Sequence, residues 1–230
     1  MRDFFTLDGI SSADYNTFIA TSNMFNSPER DVEEVEIPGR NGNLIFDNGR
    51  FKNFMASINC YIPHGMKTNV DALRGWLLSV PGYRRYEDSM HPGYYWMARY
   101  AGGFELETSD RAGAAMTLTF DCKPQRFIQA GDVTETWPQH STVYNPTHFN
   151  ALPLIRVYGI GNFTLNGVTM NVSYNDGQWL TIDCETQNAY RGTTNCNNLI
   201  TYDFPILSPG ENALTHNFHI FEMTPRFWTL

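Results

Sequence analysis

The stretch Val35-Glu36-Ile37-Pro38-Gly39-Arg40-Asn41-Gly42-Asn43-Leu44 reads as a strand that stops at a proline and then reverses. Before the proline, Val32, Glu34 and Glu36 fall on one face and Glu33, Val35 and Ile37 on the other, the period-two pattern of a half-buried strand. Pro38 has no amide proton to give a central ladder and Gly39 tolerates positive φ, so the chain leaves its sheet here. Asn41-Gly42 favours a tight reversal, after which Leu44-Ile45-Phe46 opens the next strand.

The same punctuation recurs along the chain. Short strands bounded by Gly, Pro, Asn or Asp are expected at 15–20, 32–37, 43–47, 52–62, 94–100, 104–109 and 114–122. A second set follows at 154–158, 162–166, 168–174, 178–184, 199–204 and 214–221, with turns at Asn166-Gly167 and Asp176-Gly177. One helix stands out from Asn69 to Ser79, capped by Thr68 or Asn69, with Val70, Leu73, Trp76, Leu77 and Val80 at helical spacing and Pro81-Gly82 closing it. Between Phe127 and Leu152 periodicity lapses among Gln, Thr, Asn, His and scattered prolines. The expected fold is mainly β: an N-terminal β-sandwich-like domain over 1–130 with one helix and a hairpin, a linker over 131–152, and a C-terminal β-sandwich over 153–230.

Composition narrows the function. No run of eighteen apolar residues exists, and the opening Met1-Arg2-Asp3-Phe4-Phe5 has no apolar signal core, so neither a spanning helix nor a secretory leader is expected and synthesis is placed in a cytoplasm. Cys60, Cys122, Cys184 and Cys196 stand far apart, which argues for buried free thiols rather than a zinc site or a disulfide framework. The formal charge is -8, and residues 131–230 hold only 3 Lys plus Arg against 8 Asp plus Glu. A surface that tracks phosphates, and with it nucleic-acid specificity, is not expected.

The standard catalytic motifs are absent from the sequence, and the residues that invite chemistry do so weakly. His216 and His219 form H-x-x-H, but on a strand an odd separation sends the rings to opposite faces, away from a common metal. Asp183 and Glu185 share a face in the manner of a glycosidase pair, a pattern that solvated edge charges produce more often. Asn162-Phe163-Thr164 and Asn171-Val172-Ser173 match the glycosylation pattern by chance. Tyr94-Tyr95-Trp96 alternate faces and cannot form one flat sugar platform. No catalytic residue, metal or cofactor is expected.

The proline-glycine segment resembles the "V-x-V-P-G-R-x-G-x-L" element near the start of siphophage distal tail (Dit) proteins, carried here by Pro38, Gly39, Arg40, Gly42 and Leu44. The likeness continues through Leu73-Arg74-Gly75-Trp76-Leu77, through Tyr83-Arg84-Arg85-Tyr86-Glu87-Asp88 with Tyr86 where leucine is usual, and through Tyr94 to Tyr100 with Ala98. It closes on Phe120-Asp121-Cys122-Lys123-Pro124. A looser likeness to the family's galectin-like C-terminal half runs from Asn150 to Gly159 and over Leu180-Thr181-Ile182-Asp183-Cys184-Glu185.

The resemblance implies a non-enzymatic structural part of a phage or prophage tail tip. Its N-terminal domains would form a ring, commonly a hexamer, joining tail tube to baseplate and host-adhesion apparatus. The partners implied are the tail-tube protein, the tail-associated hub protein and receptor-binding proteins, with no membrane insertion. Pro38, Gly39, Arg40, Gly42 and Leu44 become candidates for the subunit interface. The alternative is a stand-alone β-sandwich carbohydrate-binding protein, favoured by the galectin-like likeness and 14% aromatic residues.

Overall fold

A computed structural model describes residues 2–109, 113–173, 177–201 and 203–230, so the expected strand positions Tyr174 and Tyr202 and the turn residue Asp176 lie outside the described residues. The chain divides into two compact units, one running through Arg126 and the other from Phe127 to Thr229.

The first unit contains β1 (Phe5–Leu7), β2 (Ile10–Ser11), β3 (Phe18–Ser22), β4 (Arg30–Val35), β5 (Leu44–Phe51), β6 (Phe54–Ile62), helix α1 (Met66–Ser79), β7 (Arg84–Asp88), β8 (Tyr94–Tyr100), β9 (Thr108–Ser109) and most of β10 (Ala114–Ile128). Seven of these strands make one sheet in the order β2-β1-β7-β8-β10-β6-β3, with the short β9 beside β10. Strict alternation along β6 and β10 builds its inner face. Ala56, Ile58, Cys60 and Ile62 point the same way as Met116, Leu118 and Phe120, all within the core.

The helix covers that face with Val70, Leu73, Trp76 and Leu77, the stripe that helical spacing requires. It begins three residues earlier than the sequence suggested: Gly65 at φ 66° serves as N-cap without a side-chain bond, and Asn69 donates to the His64 carbonyl instead. Arg84 enters the core from β7, donating to Asp8 at 3.0 Å and to the carbonyls of Trp76 and Leu7, with its guanidinium over the Trp76 ring. A cation at the last turn of a helix also meets the negative end of its dipole.

The second unit is a sandwich of two antiparallel sheets. After the elements β11 (Glu135–Thr136), β12 (His140–Asn145), β13 (Leu154–Tyr158), β14 (Gly161–Leu165), β15 (Val168–Val172), β16 (Trp179–Asp183), β17 (Asn188–Arg191), β18 (Thr194–Asn195), β19 (Gly210–His216) and β20 (Ile220–Thr224), the orders are β11-β20-β13-β16-β17-β18 and β12-β19-β14-β15. Ile155, Val157, Leu180, Ile182, Phe221 and Met223 of one sheet share a core with Val143, Phe163, Leu165, Met170, Val172 and Leu214 of the other. Asn166 and Gly167 both take positive φ, as a two-residue hairpin demands, and bring Leu165 opposite Val168.

The tract read from sequence as a linker, 131–152, differs: it carries β11 and β12, which pair with β20 and β19. Two of its polar side chains, Asn145 and Thr147, are turned inward, as is Asn212 of β19. The Asn145 amide donates to the Phe149 and Leu207 carbonyls and accepts from the Thr147 amide and hydroxyl, while the Asn212 amide donates to the Val143, Ser208 and Gly210 carbonyls. Buried amides fully paired in this way substitute for the missing apolar alternation. Gly131 is packed so closely that a Cβ would lie 2.7 Å from the Phe227 amide nitrogen.

Gly131→Ala is therefore expected to destabilise the second unit by about 1–3 kcal/mol, since the clash is with backbone and must be relieved by displacement. Chemical denaturation read at the second unit's tryptophans checks it; a flexible linker at this position would leave the midpoint unchanged.

Candidate functional site

The hairpin of β4 and β5 forms a sheet of its own, apart from the main sheet of the first unit. Its register places Val35 opposite Leu44 and Glu33 opposite Phe46, so these four residues share one face, while Glu34 and Ile45 share the other. Among the described residues neither face is covered, in contrast to the half-buried strand expected from the alternation of residues 32–37. Val35, Ile37, Leu44, Ile45 and Phe46 are between 38% and 60% exposed. A two-stranded hairpin is marginal in water, and an apolar surface left open in this way is a candidate for association.

The turn also departs from the expected two-residue reversal at Asn41-Gly42. Residues 36–43 form an eight-residue loop, because β4 already ends at Val35 and pairs with Leu44 across it. Within the loop the Arg40 amide donates to the Ile37 carbonyl at 3.1 Å, with Pro38 and Gly39 as the two central residues and Gly39 at φ 82°. This is a type II turn, with proline and glycine in their preferred positions. Gly42 also takes positive φ, at 81°. Thus Pro38, Gly39, Arg40, Gly42 and Leu44 cluster at the exposed tip of the hairpin.

Charged residues hold the base of the hairpin. Arg30 pairs with Asp47 at 2.8 Å and its guanidinium lies over the Phe51 ring, while Arg50 pairs with Asp31 at 2.7 Å and holds that carboxyl below its ordinary value. Such exposed pairs are screened by water and contribute too little to replace a core. Sequence reasoning named the tip and overlooked Ile45 and Phe46. The available signal was the run Leu44-Ile45-Phe46, in which consecutive apolar residues place greasy side chains on both faces of one strand.

The other sequence candidates are engaged in structure. Arg226 reaches Asp183 at 2.7 Å and Glu185 at 3.4 Å, so the paired carboxylates neutralise one arginine instead of facing a substrate. The H-x-x-H segment is not one continuous strand: β19 ends at His216, which stacks on Phe221 and contacts the Trp137 carbonyl through Nε2, whereas His219 lies beside Tyr158. Among the described residues no group of three or more His, Cys, Asp or Glu is placed to hold a metal ion. Asp121 is saturated too, accepting from Asn53, Tyr83 and Arg99.

All four cysteines are buried free thiols, and burial pushes Cys60, Cys122 and Cys184 up to about 12. A depression beside β15 is lined by Asn162, Asn171, Ser173 and Thr201, yet the Ser173 and Thr201 hydroxyls are spent on backbone bonds that hold residues 199–201 to the strand.

A sheet covered by a single helix, an exposed hairpin, and a two-sheet sandwich following in the chain together make a fold that recurs in a solved phage protein. The crystal structure of SPP1 Dit (gp 19.1), described as a paradigm of the hub adsorption apparatus in phages that infect Gram-positive bacteria, matches it with a TM-score of 0.74, covering 97% of this chain and 98% of that one at 16% identity. In sequence alone, neither a family model nor a curated protein matches the chain.

Gly39→Val places a β-branched residue at positive φ and is expected to cost about 1–3 kcal/mol locally. Because the hairpin shares no core with the main sheet, the loss should show as faster amide exchange at the Val35 and Leu44 pair, with the unit's melting temperature little changed. A global drop in melting temperature would show instead that the hairpin is coupled to the core.

Proposed function

We propose that this protein is a structural component of a phage or prophage tail tip, self-associating into a ring, hexameric in its simplest form, that joins the tail tube to the baseplate and host-adhesion apparatus. The observation that carries the reading is the uncovered apolar hairpin on a fold shared with a tail hub protein. Val35, Leu44 and Phe46 form a face with no home in their own chain, and a neighbouring copy in a ring supplies one.

Ring closure uses a heterologous interface, two different patches on each subunit, and the hairpin serves as one of them. Each subunit carries a formal charge of -8, so close approach is opposed by long-range repulsion and favoured by salt. The tail-tube and tail-associated hub proteins would meet the faces of this ring, and receptor-binding proteins its periphery. The role in this reading is structural, and the paired carboxylates Asp183 and Glu185 are engaged by Arg226.

Arg40 provides the sharpest test. Its side chain is exposed at the tip and makes no hydrogen bond or ion pair among the described residues, leaving its five donors for a carboxylate or carbonyl across an interface. Arg40→Ala should weaken association by about 2 kcal/mol or more while leaving the monomer's melting temperature unchanged. Native mass spectrometry and light scattering across a salt series, paired with thermal melts, check it. Unaltered assembly, or collapse of the monomer fold, would remove Arg40 from the subunit boundary; failure of the unmodified chain to associate even with its tail-tube partner would count against the ring itself.

A further inference from the structure

Three asparagines in this chain precede a glycine: Asn41, Asn48 and Asn166. The pairing has a chemical meaning. Glycine carries no side chain to shield its amide, so that nitrogen can reach the carboxamide carbon of the asparagine before it. Ring closure of this kind needs a carboxamide free to rotate, a glycine amide free to lose its proton, and a main chain free to change its dihedrals. The fold grants these freedoms to the three sites very unequally.

Asn166 is held by side chain and main chain alike. Its carboxamide donates to the Ser208 hydroxyl at 3.0 Å and its own amide to the Ala213 carbonyl at 3.0 Å. The hairpin fixes Asn166 and Gly167 at φ 52° and 85° between the paired residues Leu165 and Val168. Asn48 lies within β5, where the Gly49 amide donates to Asp47 Oδ1 at 2.8 Å. A carboxylate that accepts this hydrogen opposes the negative charge that loss of the proton would leave on nitrogen, so the nucleophile is suppressed. The ion pairs Arg30–Asp47 and Arg50–Asp31 clamp the same stretch of the hairpin.

Asn41 has none of these restraints. It is exposed in the loop 36–43, and neither its carboxamide nor the Gly42 amide makes a hydrogen bond among the described residues. The bond from the Arg40 amide to the Ile37 carbonyl closes a turn that ends just before Asn41. A Cβ placed on Gly42 would meet nothing within 4 Å, which leaves the neighbouring nitrogen open to approach. The loop joins the strands of a two-stranded sheet, so its main chain yields at little cost.

We propose that Asn41 is a self-modifying site, converted in water to aspartate and isoaspartate by attack of its own main chain. Solvent base takes the Gly42 amide proton, and the nitrogen attacks Cγ of Asn41 to form a new C–N bond. The bond from Cγ to Nδ2 then breaks, and Nδ2 takes up a proton from water and leaves as ammonia. Water opens the resulting cyclic imide at either carbonyl. Addition at Cγ gives aspartate; addition at the main-chain carbonyl gives isoaspartate, whose main chain is longer by a methylene. Either product sets a carboxylate beside Arg40, the basic residue of the loop, and offsets its charge. The chemistry rests on the loop alone and proceeds whether or not the chain assembles.

The test is to age the full chain in water enriched in heavy oxygen, at neutral and at mildly alkaline pH, with a parallel sample unfolded in urea. Tryptic peptides fragmented by electron transfer separate Asn41 from Asn48 and isoaspartate from aspartate. In the folded chain Asn41 should convert about tenfold or more faster than Asn48 or Asn166, faster still at the higher pH, and with heavy oxygen in the product. Urea should bring the three rates together. Asn41→Gln, at an exposed position, should abolish the isoaspartate there and leave the melting temperature unchanged. Asn41 left intact in the folded chain, conversion of Asn48 or Asn166 at an equal rate, a ranking that persists in urea, or isoaspartate undiminished by Asn41→Gln would each overturn the assignment.

Discussion

Trp76 is the contact on which the first unit depends. Its ring is stacked by Tyr15 at 4.8 Å and Phe5 at 5.8 Å between centroids, and Arg84 lies over it at 5.5 Å. Through those partners it ties the helix to β1, to β7 and to the short turn near the amino terminus, elements that the chain order keeps far apart. Phe5 in turn stacks on Tyr86 and meets Phe120 edge-on, so the aromatic contacts extend from the helix across the sheet. Large rings interlocked in this way contribute several kcal/mol each and leave little room for rearrangement. Arg84 is tolerated in such a place because each of its three nitrogens donates, to Asp8 and to two main-chain carbonyls.

The parts of this architecture that the sequence discloses are those in which one local signal suffices. The buried stripe of the helix follows from the spacing of Val70, Leu73, Trp76 and Leu77, and the hairpin at Asn166-Gly167 follows from two residues that tolerate positive φ. The second unit's entry was concealed for the opposite reason. Asn145, Thr147 and Asn212 look like loop residues, and only the fold shows that their side chains are buried to pair main-chain groups. Polarity read along a chain says nothing about which way the polar group faces. The candidate site divides in the same manner: the hairpin tip is contiguous and legible, whereas the sorting of Val35, Leu44 and Phe46 onto one face exists only because register sets two strands side by side.

The hairpin and the core also differ in how they hold apolar residues. In β6 of the main sheet alternation is strict and one face is sealed; in β5, Leu44, Ile45 and Phe46 put bulk on both faces, and that strand's own charges, Asp47 and Arg50, lie toward the base. A strand with two apolar faces belongs between two layers, and this chain supplies neither. That mismatch between sequence pattern and monomer environment is the physical ground for the assembly proposed above.

The buried thiols have a consequence of another kind. With burial raising Cys60, Cys122 and Cys184 to about 12, the thiolate, the form that oxidises or exchanges, is scarce at these positions at neutral pH. None of the four sulfurs is paired and all are sealed inside a core. The fold is thereby insulated from redox poise: it asks for no oxidant to reach its final form, and passage from a reducing compartment to an oxidising exterior leaves its covalent structure as it was.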